Sequence, residues 1–161
     1  MLDPDQLKEY VIGPALRHMG VYSVAAEQMV LGTAAVESGL QYLHQLRQGP
    51  AIGLWQMEPP THNDIYKNFL VYHPKLRIAV GRLVTDAVPY NPVINDRAEM
   101  MAWNLRYGAA MCRLHYYRYP EPLPEAGDIE GQAKLWKSRY NSFQGKGTVE
   151  KYMAAWAQIT K

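Results

Sequence analysis

Apolar residues return every three to four positions over most of this chain, the period of helices packed by one face or buried outright. Leu7, Tyr10, Val11, Pro14 and Leu16 predict a first helix over 4–19, kinked or broken at Gly13-Pro14, where the proline has no N–H to give. Ser23 fits the N-cap of a second helix that runs through Ala25, Met29, Val30 and Ala34 to about Gly39. Glycine and proline then crowd 48–60, which predicts a loop or a small irregular hairpin. Thr61, three before Asp64, resembles a capping box and predicts a helix over 62–72. Another helix is expected over 75–84, followed by a proline-containing connection over 86–95. The longest helix is predicted over 97–117, carried by Met100, Met101, Trp103, Leu105, Ala109, Cys112 and Leu114. Pro120, Pro122 and Pro124 stiffen 119–127 into an extended loop. Helices over 129–140 and 148–159 follow, the second capped by Thr148. Repeats, low-complexity tracts and linkers are missing from the pattern. It predicts one all-α domain over 1–161, with at most a small β-hairpin or irregular loop near 48–60.

Composition narrows the partners. A chain of 161 residues that is 48% apolar can build a single core without staples. Lysine plus arginine number 17 against 15 acids, so neither the basic stripe of a nucleic-acid binder nor a polybasic membrane anchor is expected. Cys112 is the sole cysteine, which excludes an internal disulfide and a cysteine-based metal site. It stands in Ala109-Ala110-Met111-Cys112 and reads as a small buried hydrophobe. The start, Met1-Leu2-Asp3-Pro4-Asp5, is acidic and lacks the pattern of a signal peptide, and no apolar run predicts a membrane span. His18, His44, His73 and His115 are scattered without ligand spacing, so no metal or cofactor is expected. Gly145-Lys146-Gly147 is too brief a turn to cradle phosphate.

Glu37 carries the most chemistry. It follows Leu31, Ala34, Ala35 and Val36 near the end of an apolar helix. A carboxyl set beside a core rises above the ~4.3 of a free glutamate. A proton donor to a glycosidic oxygen needs such a rise near neutral pH. The position also opposes the helix macrodipole, which disfavours negative charge at a C-terminus. On the residues alone, a surface glutamate at a helix end remains open. Trp55 fits either core packing or a ring on which sugar stacks, and Glu58 either a second working carboxyl or a solvated loop residue. Trp136 and Tyr140, four apart, suit mutual packing. Tyr116, Tyr117 and Tyr119 with Arg113 and Arg118 form an aromatic and basic cluster that suits a glycan or a protein partner, and equally ordinary solvated packing.

In order along the chain stand Glu37-Ser38, then Ala51-Ile52-Gly53-Leu54-Trp55-Gln56-Met57-Glu58-Pro59-Pro60-Thr61, then Tyr140-Asn141. Together they resemble the soluble lytic transglycosylases and goose-type lysozymes of the lysozyme-like superfamily. Those read Glu-Ser, a loop, Gly-Leu-Met-Gln followed by Met-Pro-x-Thr, and a later Tyr-Asn. The resemblance implies a lysozyme-like fold and cleavage of the β-1,4 bond between N-acetylmuramic acid and N-acetylglucosamine in peptidoglycan. It implies Glu37 as acid and base, and Gln56 presenting its amide to a sugar. Tyr140 would position Glu37 or the substrate, with Asn141 supporting that turn, and Ser38, Trp55 and His62 would complete the substrate-binding set. Two departures bear on the reaction. Arg47-Gln48-Gly49-Pro50 replaces a serine common ahead of the Gly-Leu-Met-Gln block. Glu58 stands where transglycosylases commonly have methionine and goose-type lysozymes an aspartate, with His62 matching a histidine of the latter. Lysozyme-type hydrolysis with Glu58 as a second catalytic carboxyl and transglycosylation on the substrate's own 6-hydroxyl therefore both stay open.

A wall-degrading enzyme without an export signal implies a phage protein, carried in the virion or released through a holin. It would be made in the host cytoplasm and act on the host wall in the periplasm. Expected partners are peptidoglycan glycan strands and other virion or tail proteins, with no nucleic acid. The competing class is a non-catalytic virion or tail structural protein that keeps the lysozyme-like fold.

Overall fold

The structure, a computed structural model, describes residues 1–85, 97–141 and 145–160. The connection expected over 86–95 lies outside the described residues.

The N-terminal course is continuous rather than broken. Asp3 accepts from the Gln6 N–H at 2.9 Å and caps α1 (Pro4–Leu7), which widens into a π-helical turn at Lys8–Ile12 and resumes as α2 (Gly13–His18). The Gly13 N–H reaches back five residues to the Lys8 carbonyl, so the wider turn absorbs the proline. Pro14 cannot donate, and the Tyr10 carbonyl accepts instead from the Arg106 guanidinium at 3.1 and 3.2 Å.

Ser23 caps α3 (Val24–Ser38), its hydroxyl accepting from the Ala26 N–H at 3.0 Å. The helix is buried from Met29 to Val36 and stops at Gly39, whose φ of 59° the missing side chain makes easy. Among the described residues α3 is the longest helix. The run expected over 97–117 is instead split at Asn104 into α6 (Met100–Trp103) and α7 (Leu105–Tyr117). Asn104 leaves helical geometry because its side chain takes over backbone work. Its Oδ1 accepts from the Tyr107 N–H at 3.1 Å and its Nδ2 donates to the Leu83 carbonyl at 2.9 Å.

The capping box expected at Thr61 is not formed. α4 (Pro59–Asn68) begins earlier, with Pro59 and Pro60 in its first turn and Glu58 as an N-cap whose side chain makes no cap hydrogen bond. A missing N–H is harmless in that first turn, which is why two prolines can start the helix. A 3₁₀ turn at Leu70–Tyr72 leads to α5 (Pro74–Thr85). Asp128 caps α8 (Ile129–Leu135), which passes into a π-helical turn at Trp136–Tyr140. Thr148 then caps α9 (Val149–Ile159), accepting from the Lys151 N–H at 3.2 Å. No helix of the described residues is long and apolar enough to cross a membrane. The segment near 48–60 contributes two isolated antiparallel bridges, His44 with Ile52 and Ile52 with Met57. The fold is mainly helical, as predicted.

α7 is the axis of the core, buried from Tyr107 to Tyr116. Ala109, Cys112 and Tyr116 meet α3, Trp55, Trp136 and Tyr152 on one side. Tyr107, Ala110, Met111 and Leu114 meet Ile65, Leu70, Val80 and Met101 on the other. Full burial of each large side chain is worth ~1.5–3 kcal/mol, so the two faces of α7 tie the halves together.

α3 and α9 approach closely because Gly32 has no side chain. A Cβ there would fall on the hydroxyl of Tyr152, which is fully buried and has no hydrogen-bond partner among the described residues. Overpacking of this kind costs ~1–3 kcal/mol. Gly32→Ala should therefore lower Tm by about 3–10 °C in a thermal melt, and adding Tyr152→Phe should recover part of the loss.

Candidate active site

The C-terminal end of α3, the loop from Gln41 to Glu58, the Tyr140-Asn141 turn and one face of α9 enclose a groove of about 890 Å³. Glu37, Ser38, Gln56, Glu58, Tyr140 and Asn141 all border it. Trp55 and His62 do not.

Glu37 is the penultimate residue of α3 and is partly buried. Trp136 Nε1 donates to its Oε1 at 2.9 Å across 99 residues of sequence. Burial pushes the carboxyl from the ordinary 4.5 up to about 7. The Trp136 hydrogen bond and the attraction of Lys151 pull the other way and are outweighed. The carbonyl end of α3 acts in the same direction as burial. Near neutrality the group can therefore both hold and give up a proton.

The π-helical turn explains how one short segment serves two tasks. Its Asn141 N–H bonds the Trp136 carbonyl five residues back at 3.0 Å. Trp136 reaches Glu37, while the Tyr140 hydroxyl donates to the Trp55 carbonyl at 2.7 Å. Tyr140 also stacks on Tyr116, ring centroids 5.5 Å apart, and meets the His115 ring edge at 4.7 Å. Asn141 Oδ1 accepts from Lys137 Nζ at 3.0 Å and from the Gly147 N–H at 3.2 Å, which fixes its side chain at the groove wall.

Gln56 sits in a turn closed by reciprocal bonds between Ile52 and Met57, 3.0 and 3.1 Å. Its φ of 45° is costly for a residue with a side chain, roughly 1–3 kcal/mol. Its Nε2 donates to the Gly53 carbonyl at 2.8 Å. Gly53 itself, at φ 77°, lies so close to the Met101 carbonyl that a Cβ would clash with it. The turn is thus pinned to α6 at one end while presenting Gln56 to the groove at the other.

Two residues expected to touch substrate are placed in packing roles. Trp55 is 1% exposed and its Nε1 donates to the Val30 carbonyl at 2.8 Å, so its ring belongs to the core and only its backbone carbonyl serves the site. His62 is likewise 1% exposed, bonded through Nε2 to the Tyr107 hydroxyl at 2.6 Å. Its ring also packs against those of Tyr66 and Tyr107, centroids 5.2 and 5.9 Å apart, on the side of α4 that faces α7. Ser38 borders the groove but its hydroxyl donates to the Ala34 carbonyl at 3.1 Å. Glu58 is exposed.

Several residues that build or line the groove have no distinct signal in the sequence. Trp136 as the partner of Glu37 was hidden in a four-residue spacing that also fits packing. His115, from α7, donates through Nε2–H to the Arg139 carbonyl at 2.7 Å, which leaves Nδ1 as its acceptor. Burial pushes it down to about 4, so it is neutral near pH 7. Lys151, Ala154, Ala155 and Gln158 form one face of α9 at helical spacing, and only the fold shows that this face is a groove wall. Among the described residues, no group of three or more histidine, cysteine, aspartate or glutamate side chains is arranged to hold a metal ion.

Compared with protein-family models, with curated proteins and with solved structures, the chain has no match.

Burying Glu37 has a thermodynamic signature. Below pH 4.5 the carboxyl is protonated in both folded and unfolded chains, and no penalty arises. As pH rises toward about 7 the unfolded chain loses a proton that the folded chain keeps, so stability falls, by roughly 3 kcal/mol in all. Glu37→Gln removes the ionisation. Urea unfolding should find that variant more stable than wild type at pH 8, with the gap closing toward pH 4.5. A difference independent of pH would contradict the burial of the charge.

Proposed function

We propose that the groove binds a glycan strand of peptidoglycan and cleaves its β-1,4 bond between N-acetylmuramic acid and N-acetylglucosamine, with Glu37 as acid and then base. The observation that carries this reading is the Glu37 carboxyl, held at about 7 by burial and bordering a groove of about 890 Å³. The groove walls support it. Gln41, Gln45, Gln56 and Gln158 supply amides, and Tyr42, 42% exposed, supplies an aromatic face, the groups that bind sugar hydroxyls and sugar rings.

In this mechanism the protonated Glu37 gives its proton to the leaving glycosidic oxygen as the bond to C1 breaks. The substrate's N-acetyl oxygen closes on C1 and shares the positive charge. The Glu37 carboxylate then takes the proton of the hydroxyl that attacks C1, restoring both the acetamido group and the acid. Trp136 fixes the carboxyl orientation, and Tyr140 holds the loop that carries Gln56. The substrate's 6-hydroxyl is the favoured nucleophile. Glu58, the other carboxylate bordering the groove among the described residues, is exposed, and no hydrogen bond or ion pair among those residues fixes its side chain to align a water. The fold family implied is lysozyme-like, and a virion-borne protein acting on the host wall is the setting that suits it.

The test is digestion of purified peptidoglycan by wild type and by Glu37→Gln, with products read by mass spectrometry. Wild type should release fragments with a 1,6-anhydro end, one water lighter than a hydrolytic product, at a rate that falls as pH rises through about 7. Glu37→Gln should be slower by about 10²–10⁴-fold. Reducing ends instead would assign the second step to water and bring Glu58 into it. No product from wild type, where a control muramidase works, would overturn the enzyme reading in favour of a non-catalytic virion component.

A further inference from the structure

The groove is chemically lopsided. One wall offers Gln41, Tyr42 and Gln45, all uncharged, and the facing wall is α9 with Lys151, two small alanines and Gln158. Lys151 is exposed and lies within ion-pair distance of no carboxylate among the described residues, although it attracts Glu37 from farther off. Other surface cations near acids are spoken for, as in Lys134 with Glu130 at 2.6 Å and Arg118 with Asp64 at 2.6 Å. His115, the other basic side chain bordering the groove, is neutral near pH 7. The groove therefore presents sugar-binding amides, the Glu58 carboxylate on its loop side and, among the described residues, one lysine on its α9 wall.

A neutral glycan has nothing to pair with that lysine's charge, whereas a glycan carrying carboxylates does. The geometry points to Lys151 as the residue that selects a carboxylate-bearing strand, pairing with an acid group on the muramic acid residue as it lies against α9. This rests on the reading of the groove as a glycan site and names the substrate feature it recognises. Two sources share the chemistry: the lactyl carboxylate of a strand stripped of peptide, and the free carboxylates of the stem peptide.

The experiment is a calorimetric binding series on Glu37→Gln, which holds strands without turning them over, with and without Lys151→Met and Lys151→Arg. The ligands are soluble peptidoglycan strands in three forms: with stem peptides, stripped of peptide by an amidase, and with every carboxylate converted to an amide. We expect Glu37→Gln to bind one of the two carboxylate forms about fivefold tighter than the amidated form, the size of a partly exposed ion pair. Which form is preferred identifies the source. The preference should weaken as salt rises, vanish in Lys151→Met and persist in Lys151→Arg. Equal binding of all three forms, or a preference that survives Lys151→Met, overturns the assignment. If no strand binds at all, it falls together with the reading of the groove as a glycan site. If the preference is present but wild type cleaves none of the three, the anion site stands and the enzyme reading falls.

Discussion

Two unfavourable influences meet at Glu37, burial against an apolar core and the carbonyl end of α3, and the neighbouring structure is organised around holding a carboxyl in that place. Its one direct side-chain partner among the described residues comes from far along the chain. Trp136 supplies a single N–H, enough to fix the carboxyl but too little to restore an ordinary acidity. A lysine or arginine in contact would have paired the charge and brought the acidity back toward normal. Lys151 stays at a distance, so attraction is present but weak. The balance leaves a group poised between its two protonation states.

That arrangement depends on two local departures from regular helix. The π-helical turn at Trp136–Tyr140 puts an indole and a phenol toward the same region, one on Glu37 and one on the backbone of the Gln56 turn. The break at Asn104 lets α6 carry Met101 against Gly53, which seats that turn. Both are irregularities that a more uniform helix would remove; one borders the groove at Tyr140 and the other backs its loop through Met101. Strain at Gln56, with its positive φ, adds a further local cost on the groove wall.

Much of the layout was legible from periodicity because burial sets the spacing of apolar residues. α3, α5 and α9 begin and end close to where the pattern puts them, and Ser23 and Thr148 cap as their hydroxyls suggest. The misread boundaries have identifiable physical causes. Asn104 is an ordinary polar residue in an apolar run, and its bond to the Leu83 carbonyl exists only after α5 has packed beside it. Pro59 and Pro60 looked like loop residues, although a first helical turn accepts them. At the site, Glu37, Gln56, Tyr140 and Asn141 are brought to one groove, while Trp55 and His62 turn inward. Motif order carried no information about which way those rings face. The wall from α9 was invisible for a related reason: a helix reveals its apolar face by spacing, but its polar face looks the same toward solvent and toward a ligand.

The 99-residue separation between Glu37 and Trp136 has a kinetic meaning. A chain in which the later segment has not docked lacks the indole on Glu37 and part of the burial that raises its carboxyl to about 7. The value of about 7 comes from burial, and the segment that carries Trp136 is part of what buries the carboxyl. Closures over such separations tend to come late in folding because their loop entropy must be met first. A partly folded or locally opened molecule would then carry more negative charge at Glu37. The completeness of the fold would set the protonation of that one carboxyl.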